Sequence, residues 1–142
     1  EISLGLVGSE MCIRDRSMEM YLETILRLCK SNEKVRAVDI ANQMRISKVS
    51  VCHAIKNLQA KDYVTYESRL IRLTKKGRIL AEEIYERHCE LTKLLISLGV
   101  DSATAEQDAC RIEHCITQET FNAVKRYNGG QINYAESKRA EN

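Results

Sequence analysis

Residues 38–64 read VDIANQMRISKVSVCHAIKNLQAKDYV. Val38 to Met44 has the length of a short helix, with Asp39 in its first turn, where the helix dipole favours an acid. Arg45 and Ile46 leave only a tight connection before Ser47, whose side-chain oxygen suits it to cap the next helix. From there Val51, Ile55 and Leu58 fall at i, i+4 and i+7, the inner stripe of a helix running to about Lys61. The outward side of that helix carries short polar and basic groups near its start, namely Ser47, Lys48, Ser50 and His53, with Lys56 further along. Ala41 is small, so the two helices can approach closely.

Upstream, Ser17 is a further capping residue. Met18, Tyr21, Leu22, Ile25, Leu26, Leu28 and Cys29 then follow helical spacing up to the polar stretch Lys30–Lys34. Downstream, two β-prone runs, 63–67 and 70–74, flank Ser68 and Arg69 and predict a short hairpin. The turn lacks Gly or Asn, so its type stays unassigned. Helix, short helix, tight turn, capped helix and hairpin make the winged helix-turn-helix layout. In it Arg69 and Arg72 lie where a wing meets phosphates. From Ser17 to Ile79 there are 13 Lys and Arg against 6 Asp and Glu, a net +7 that favours a polyanionic partner.

The remainder is helical and acidic. One helix is expected from about Lys75 to Leu98, stopped by Gly99. A second runs from Asp101 or Ser102 to about Ile116, and a last one from Gln118 to Tyr127 behind Thr117. Leu80 to Tyr127 holds 5 basic and 9 acidic residues. Within it Cys110, Glu113 and His114 sit at i, i+3 and i+4, so a thiolate, a carboxylate and an imidazole share one helical face. That is a donor set for a divalent transition metal. The first helix offers Met20 and Glu23 at i, i+3, and His88 lies on the long helix between them. Each residue alone has a plainer reading: Met20 as core filler, Cys110 as a small buried hydrophobe, Glu113 as a solvated charge, His88 as a core histidine. Their joint occurrence in a chain with 3 histidines favours the metal.

Four stretches now carry a resemblance: MEMYLETIL at 18–26, the 38–64 run, LTKKG at 73–77 and ACRIEH at 109–114. From Met18 to Tyr127 the chain resembles the iron- and manganese-dependent transcriptional repressor family, in a short form without an SH3-like domain. The resemblance implies metal ligands at Met20, Glu23, His88, Cys110, Glu113 and His114. It places Ser47, Val49 and His53 at base-contacting positions, and Lys48, Ser50 and Lys56 at phosphates. Val49 replaces a common Pro, and an apolar side chain can touch a thymine methyl. Met20 and Cys110 are iron-type residues, whereas Glu23 and His88 suit the two-metal arrangement of manganese regulators. Thr92 and Glu106 stand where the iron type has Glu and His ligands. A homodimer on palindromic double-stranded DNA is implied, with Fe(II) or Mn(II) as cofactor.

The expected fold is therefore mostly α: a winged helix-turn-helix DNA-binding domain over 17–79, then an all-helical metal-binding and dimerisation domain over 80–127. Residues 1–16 read as a non-native or disordered leader, with a native start near Met18, and 128–142 as a disordered tail. Six cysteines without a CxxC pair, and no signal peptide, imply a reduced, cytoplasmic protein. No apolar run suits a membrane span, and no small-molecule substrate is expected. A carboxylate dyad, a nucleophile motif and a Gly-rich phosphate loop are missing from the sequence, which argues against an enzyme. A small metalloenzyme using Glu113 as base is the lesser alternative. A winged-helix regulator without metal control, with Met20 and Cys110 in its core, is the other.

Overall fold

The computed structural model describes residues 2–140, and their side chains over 16–130. The elements in order are α1 (Ile2–Ser31), α2 (Ala37–Met44), α3 (Lys48–Ala60), β1 (Val64–Glu67), β2 (Leu70–Leu73), α4 (Lys75–Ser97), α5 (Ser102–Ile112) and α6 (Gln118–Ala140). They form two compact units, one up to Ile84 and one from Tyr85, so the boundary falls inside α4.

In the first unit the apolar stripes of α1, α2 and α3 converge. Leu22, Ile25, Leu26, Ile40, Val51 and Leu58 are all buried there, as the helical spacing requires. Ser47 caps α3, accepting from Ser50 N at 3.1 Å. The hairpin pairs antiparallel, Val64 with Leu73 and Glu67 with Leu70, and Ile71 N donates to Val35 O at 2.8 Å, tying the wing to the loop after α1. Ser68 and Arg69 both have positive φ, 51° and 64°, which is the type I′ hairpin turn built from residues other than the usual Asn-Gly.

Arg45 between α2 and α3 also lies in the left-handed region, at φ 56° and ψ 47°, with its N–H donating to Ala41 O. Such a conformation costs a residue with a Cβ about 1–2 kcal/mol. Arg45→Gly is thus expected to stabilise the protein by about 1 kcal/mol, a rise of roughly 4 °C in thermal unfolding by circular dichroism. A lower midpoint would mean that the Arg45 side chain contributes more than its backbone strain costs.

The second unit comprises the rest of α4 with α5 and α6. Gly99, at φ 96°, ends α4, and Asp101 caps α5 by accepting from Ala103 N at 3.2 Å. Asn128 Nδ2 donates to Glu90 O at 2.9 Å and to Glu90 Oε2 at 2.7 Å, pinning α6 to α4. Lys125 reaches Glu86 at 2.6 Å, and this hydrogen bond raises the lysine pKa.

Three boundaries differ from the sequence expectation by several residues. α5 ends at Ile112 rather than near Ile116, because Glu113 caps it and the chain turns before Thr117 opens α6. α6 passes Tyr127 and Gly129–Gly130 and continues to Ala140, over residues expected as a tail; a helix already nucleated adds one bond for each residue fixed. At the other end, α1 begins at Ile2, within the expected leader. Residue 1 and residues 141–142 lie outside the described residues. No disulfide joins the described cysteines, and burial pushes the Cys29 thiol pKa up while nearby Arg78 offsets part of the rise. Among the described residues no helix is long and apolar enough to cross a membrane.

Candidate metal centre and nucleic-acid interface

Within the second unit the chain brings three elements of sequence to one point. α4 supplies His88, the last turn of α5 supplies Cys110, and the turn that follows supplies Glu113 and His114. His88 Nδ1 lies 2.9 Å from Glu113 Oε2, and His114 Nε2 lies 3.1 Å from Glu113 Oε1. Each oxygen of one carboxylate therefore faces a different imidazole. Donor atoms of His88, Cys110 and Glu113 all lie within 4.8 Å of one another.

Burial gives the arrangement its chemical meaning. The Glu113 side chain is 0% exposed. A carboxylate in such a place must be neutralised or compensated, because its ionised form loses the hydration that water supplies. The His88 imidazole compensates by a hydrogen bond; a divalent cation would do so more strongly. Nitrogen, oxygen and sulfur donors hold zinc-like ions at about 2.0–2.3 Å, so two donors on one ion are separated by at most about twice that length. The His88–Cys110–Glu113 cluster meets this limit with little movement, and its mixed donors suit a transition metal rather than magnesium or calcium.

The remaining ligand candidates, Met20 and Glu23, are one turn apart on α1, in the first unit. Met20 is 37% exposed, whereas Glu23 is buried and receives Arg27 Nη2 at 2.6 Å. Thr92 spends its hydroxyl on His88 O at 2.8 Å, within its own helix, and Glu106 is exposed on α5. The sequence reading passed over Arg87. Its Nη1 donates to Glu113 O at 3.3 Å and to Ile116 O at 2.9 Å. No local signal separates this arginine from the other charges of α4, because its partners lie 26 and 29 residues away.

The nucleic-acid candidates gather on the first unit. Lys48, Val49, Ser50, His53 and Lys56 are exposed along α3, Val49 to 69%. Ser47 has its hydroxyl 2.9 Å from that of Ser50, so the cap also orders the first outward side chains of the helix. Lys48, Val49, Cys52, His53 and Lys56 line a shallow cavity of about 330 Å³. Arg69 stands at the hairpin tip and Arg72 on β2, both exposed. Val49 is an exposed apolar side chain beside the basic Lys48.

Comparison with known proteins agrees with both units. Residues 15–70 match the family model for the iron-dependent repressor N-terminal DNA-binding domain, and residues 74–131 match that for the iron-dependent repressor metal-binding and dimerisation domain. An uncharacterised HTH-type transcriptional regulator of Methanocaldococcus jannaschii is 33% identical over 113 residues, covering 78% of this chain and 90% of that protein. The HTH-type transcriptional regulator MntR of Listeria welshimeri is 32% identical over 109 residues, 76% of this chain and 77% of the relative. The solved structure of the manganese regulator SloR superposes with a TM-score of 0.69 at 28% identity, covering 78% of this chain and 52% of that one. The chain thus spans about half of the SloR chain and most of the two regulators. With both domains matched in order, the chain belongs to the iron-dependent repressor family.

Proposed function

We propose that the protein is a metal-dependent transcriptional repressor of the cytoplasm, sensing iron(II) or manganese(II) and controlling genes of metal homeostasis. The observation that carries this reading is the fully buried Glu113 carboxylate between His88 and His114, with Cys110 in reach. His88, Cys110, Glu113 and His114 would hold the ion, with Met20 and Glu23 as the further ligands the family resemblance assigns. When bound, the ion supplies positive charge to a buried acid. The thioether and thiolate favour iron(II) and later metals, while the oxygen and nitrogen donors are equally suited to manganese(II). The matched family is iron-dependent and SloR is a manganese regulator, which supports keeping both ions.

On the DNA side, Ser47, Val49 and His53 read bases, while Lys48, Ser50, Lys56, Arg69 and Arg72 hold phosphates. A homodimer, consistent with the matched dimerisation domain, would place two recognition helices on a palindromic operator. Metal raises DNA affinity by populating the binding-competent state, and linkage requires DNA to tighten metal binding in return. A catalytic metal needs an open coordination position and a substrate cavity beside it. Glu113 is enclosed, and both matched domains are those of a repressor family. Regulation rather than catalysis is the reading these features support.

Fluorescence anisotropy at fixed salt tests it, using the promoter of the protein's own gene with chelator, then anaerobic iron(II), manganese(II) or zinc(II). Binding is expected to require metal and to lose that requirement's benefit in Cys110→Ala. Equal operator binding with and without metal would instead identify a metal-independent regulator.

A further inference from the structure

Residues 113–117, which join α5 to α6, carry two of the candidate ligands yet lie beyond the last turn of either helix. The ladder of α5 reaches only as far as Glu113 N, which donates to Ala109 O at 2.9 Å. Carbonyls at a helix C-terminus lack intrahelical donors and must find partners elsewhere. Ala109 O and Ile112 O receive the backbone N–H groups of Glu113 and Cys115, and in the turn itself one guanidinium serves two further carbonyls. Arg87 Nη1 donates to Glu113 O and Ile116 O, Nη2 donates to Gln118 Oε1 at 3.0 Å, and the guanidinium carbon lies 5.4 Å from the centroid of the Phe121 ring. The next residue of α4, His88, meets the Glu113 side chain. Two consecutive residues of one helix therefore grip the same turn, one by its backbone and one by its carboxylate.

We propose that Arg87 is a positioning residue for the metal centre, fixing the 113–116 backbone so that Glu113 and His114 are aimed before the ion arrives. The inference rests on reading those two residues as ligands. Without Arg87 the ion must order the turn itself, and the entropy of that ordering is subtracted from its affinity. Arginine suits the task because a planar fork can serve two carbonyls and an amide while its face lies on a ring. A lysine ammonium has no such face and one point of charge.

Cobalt(II) titration of the full chain tests this, since thiolate-to-metal charge transfer reports Cys110 and the d–d bands report coordination. Arg87→Ala should weaken cobalt(II) binding roughly 10- to 100-fold, the range for losing an outer partner of a ligand, and shift the d–d bands. Arg87→Lys should recover part of the affinity. Asn128→Ala removes the α6–α4 hydrogen bonds to Glu90 without touching the turn, so it should melt lower and keep wild-type affinity and spectrum. Wild-type affinity and spectrum in Arg87→Ala would overturn the proposal; if that variant does not fold, the same result in Arg87→Lys does so, and weakened binding there supports it. An equal loss in Asn128→Ala would reduce Arg87 to general stability and overturn it as well. A wild-type protein with no charge-transfer band sensitive to Cys110→Ser would instead sink the metal-centre reading itself.

Discussion

Glu113→Gln is expected to lower metal affinity on the order of 100-fold or more while leaving the metal-free protein as stable as before, or more so. The two effects have opposite signs for one physical reason. Glutamine keeps the shape of the side chain and can still bond His88, so packing survives. It removes a charge that is 0% exposed, and hence a desolvation penalty that the metal-free protein bears. With an ion at the proposed site the same charge would be the main attraction for it, and loss of a direct ligand should then exceed the 10- to 100-fold effect of losing an outer partner. Competition against a chromophoric chelator measures the affinity, and a thermal melt in chelator measures the metal-free stability. Unchanged affinity would remove Glu113 from the site. A large fall in the metal-free melt would make it a structural residue of the second unit.

Gly77→Ala should be the most destabilising small substitution in the first unit, at about 3 kcal/mol, or roughly 10 °C in melting temperature. A Cβ at this position would lie 1.9 Å from Tyr63 O and 2.8 Å from Tyr63 C, both backbone atoms that no rotamer change can move. The contact is locked on both sides. Thr74 accepts from Gly77 N at 3.0 Å, donates from Oγ1 to Asp62 O at 2.7 Å, and its own N–H reaches Tyr63 O at 3.0 Å. The start of α4 is thus bonded to the segment that leads into β1, and relief of the clash requires those bonds to lengthen. Gly99→Ala provides the contrast. Gly99 has φ 96° but nothing within 4 Å of an added Cβ, so only backbone strain of about 1 kcal/mol is at stake. Melting curves of the two variants should separate clearly, and a Gly77→Ala protein that melts with the wild type would show that the approach of α4 to Tyr63 is soft.

The amino-acid sequence alone determined the features set by neighbours a few residues apart. Ser47 caps α3 because Ser50 is three residues on, and Val51, Ile55 and Leu58 face inward because a helix repeats every 3.6 residues. Gly99 and Asp101 mark the end of α4 and the start of α5 by equally local chemistry. The candidate donors were legible as residue types, but the one-helix geometry assumed for Cys110, Glu113 and His114 was not what forms. Tertiary structure decided that α5 stops at Ile112 and that Glu113 enters a turn, because its partners His88 and Arg87 come from 25 and 26 residues away. It also decided that position 77 must be glycine, since the obstructing atoms belong to Tyr63, and that Ser68 and Arg69 adopt left-handed φ, since the pairing of β1 with β2 imposes it. Period, capping and charge act within one or two turns of chain. The closing of a helix end, the fit of a backbone and the joining of donors into one centre depend on groups that only folding brings together.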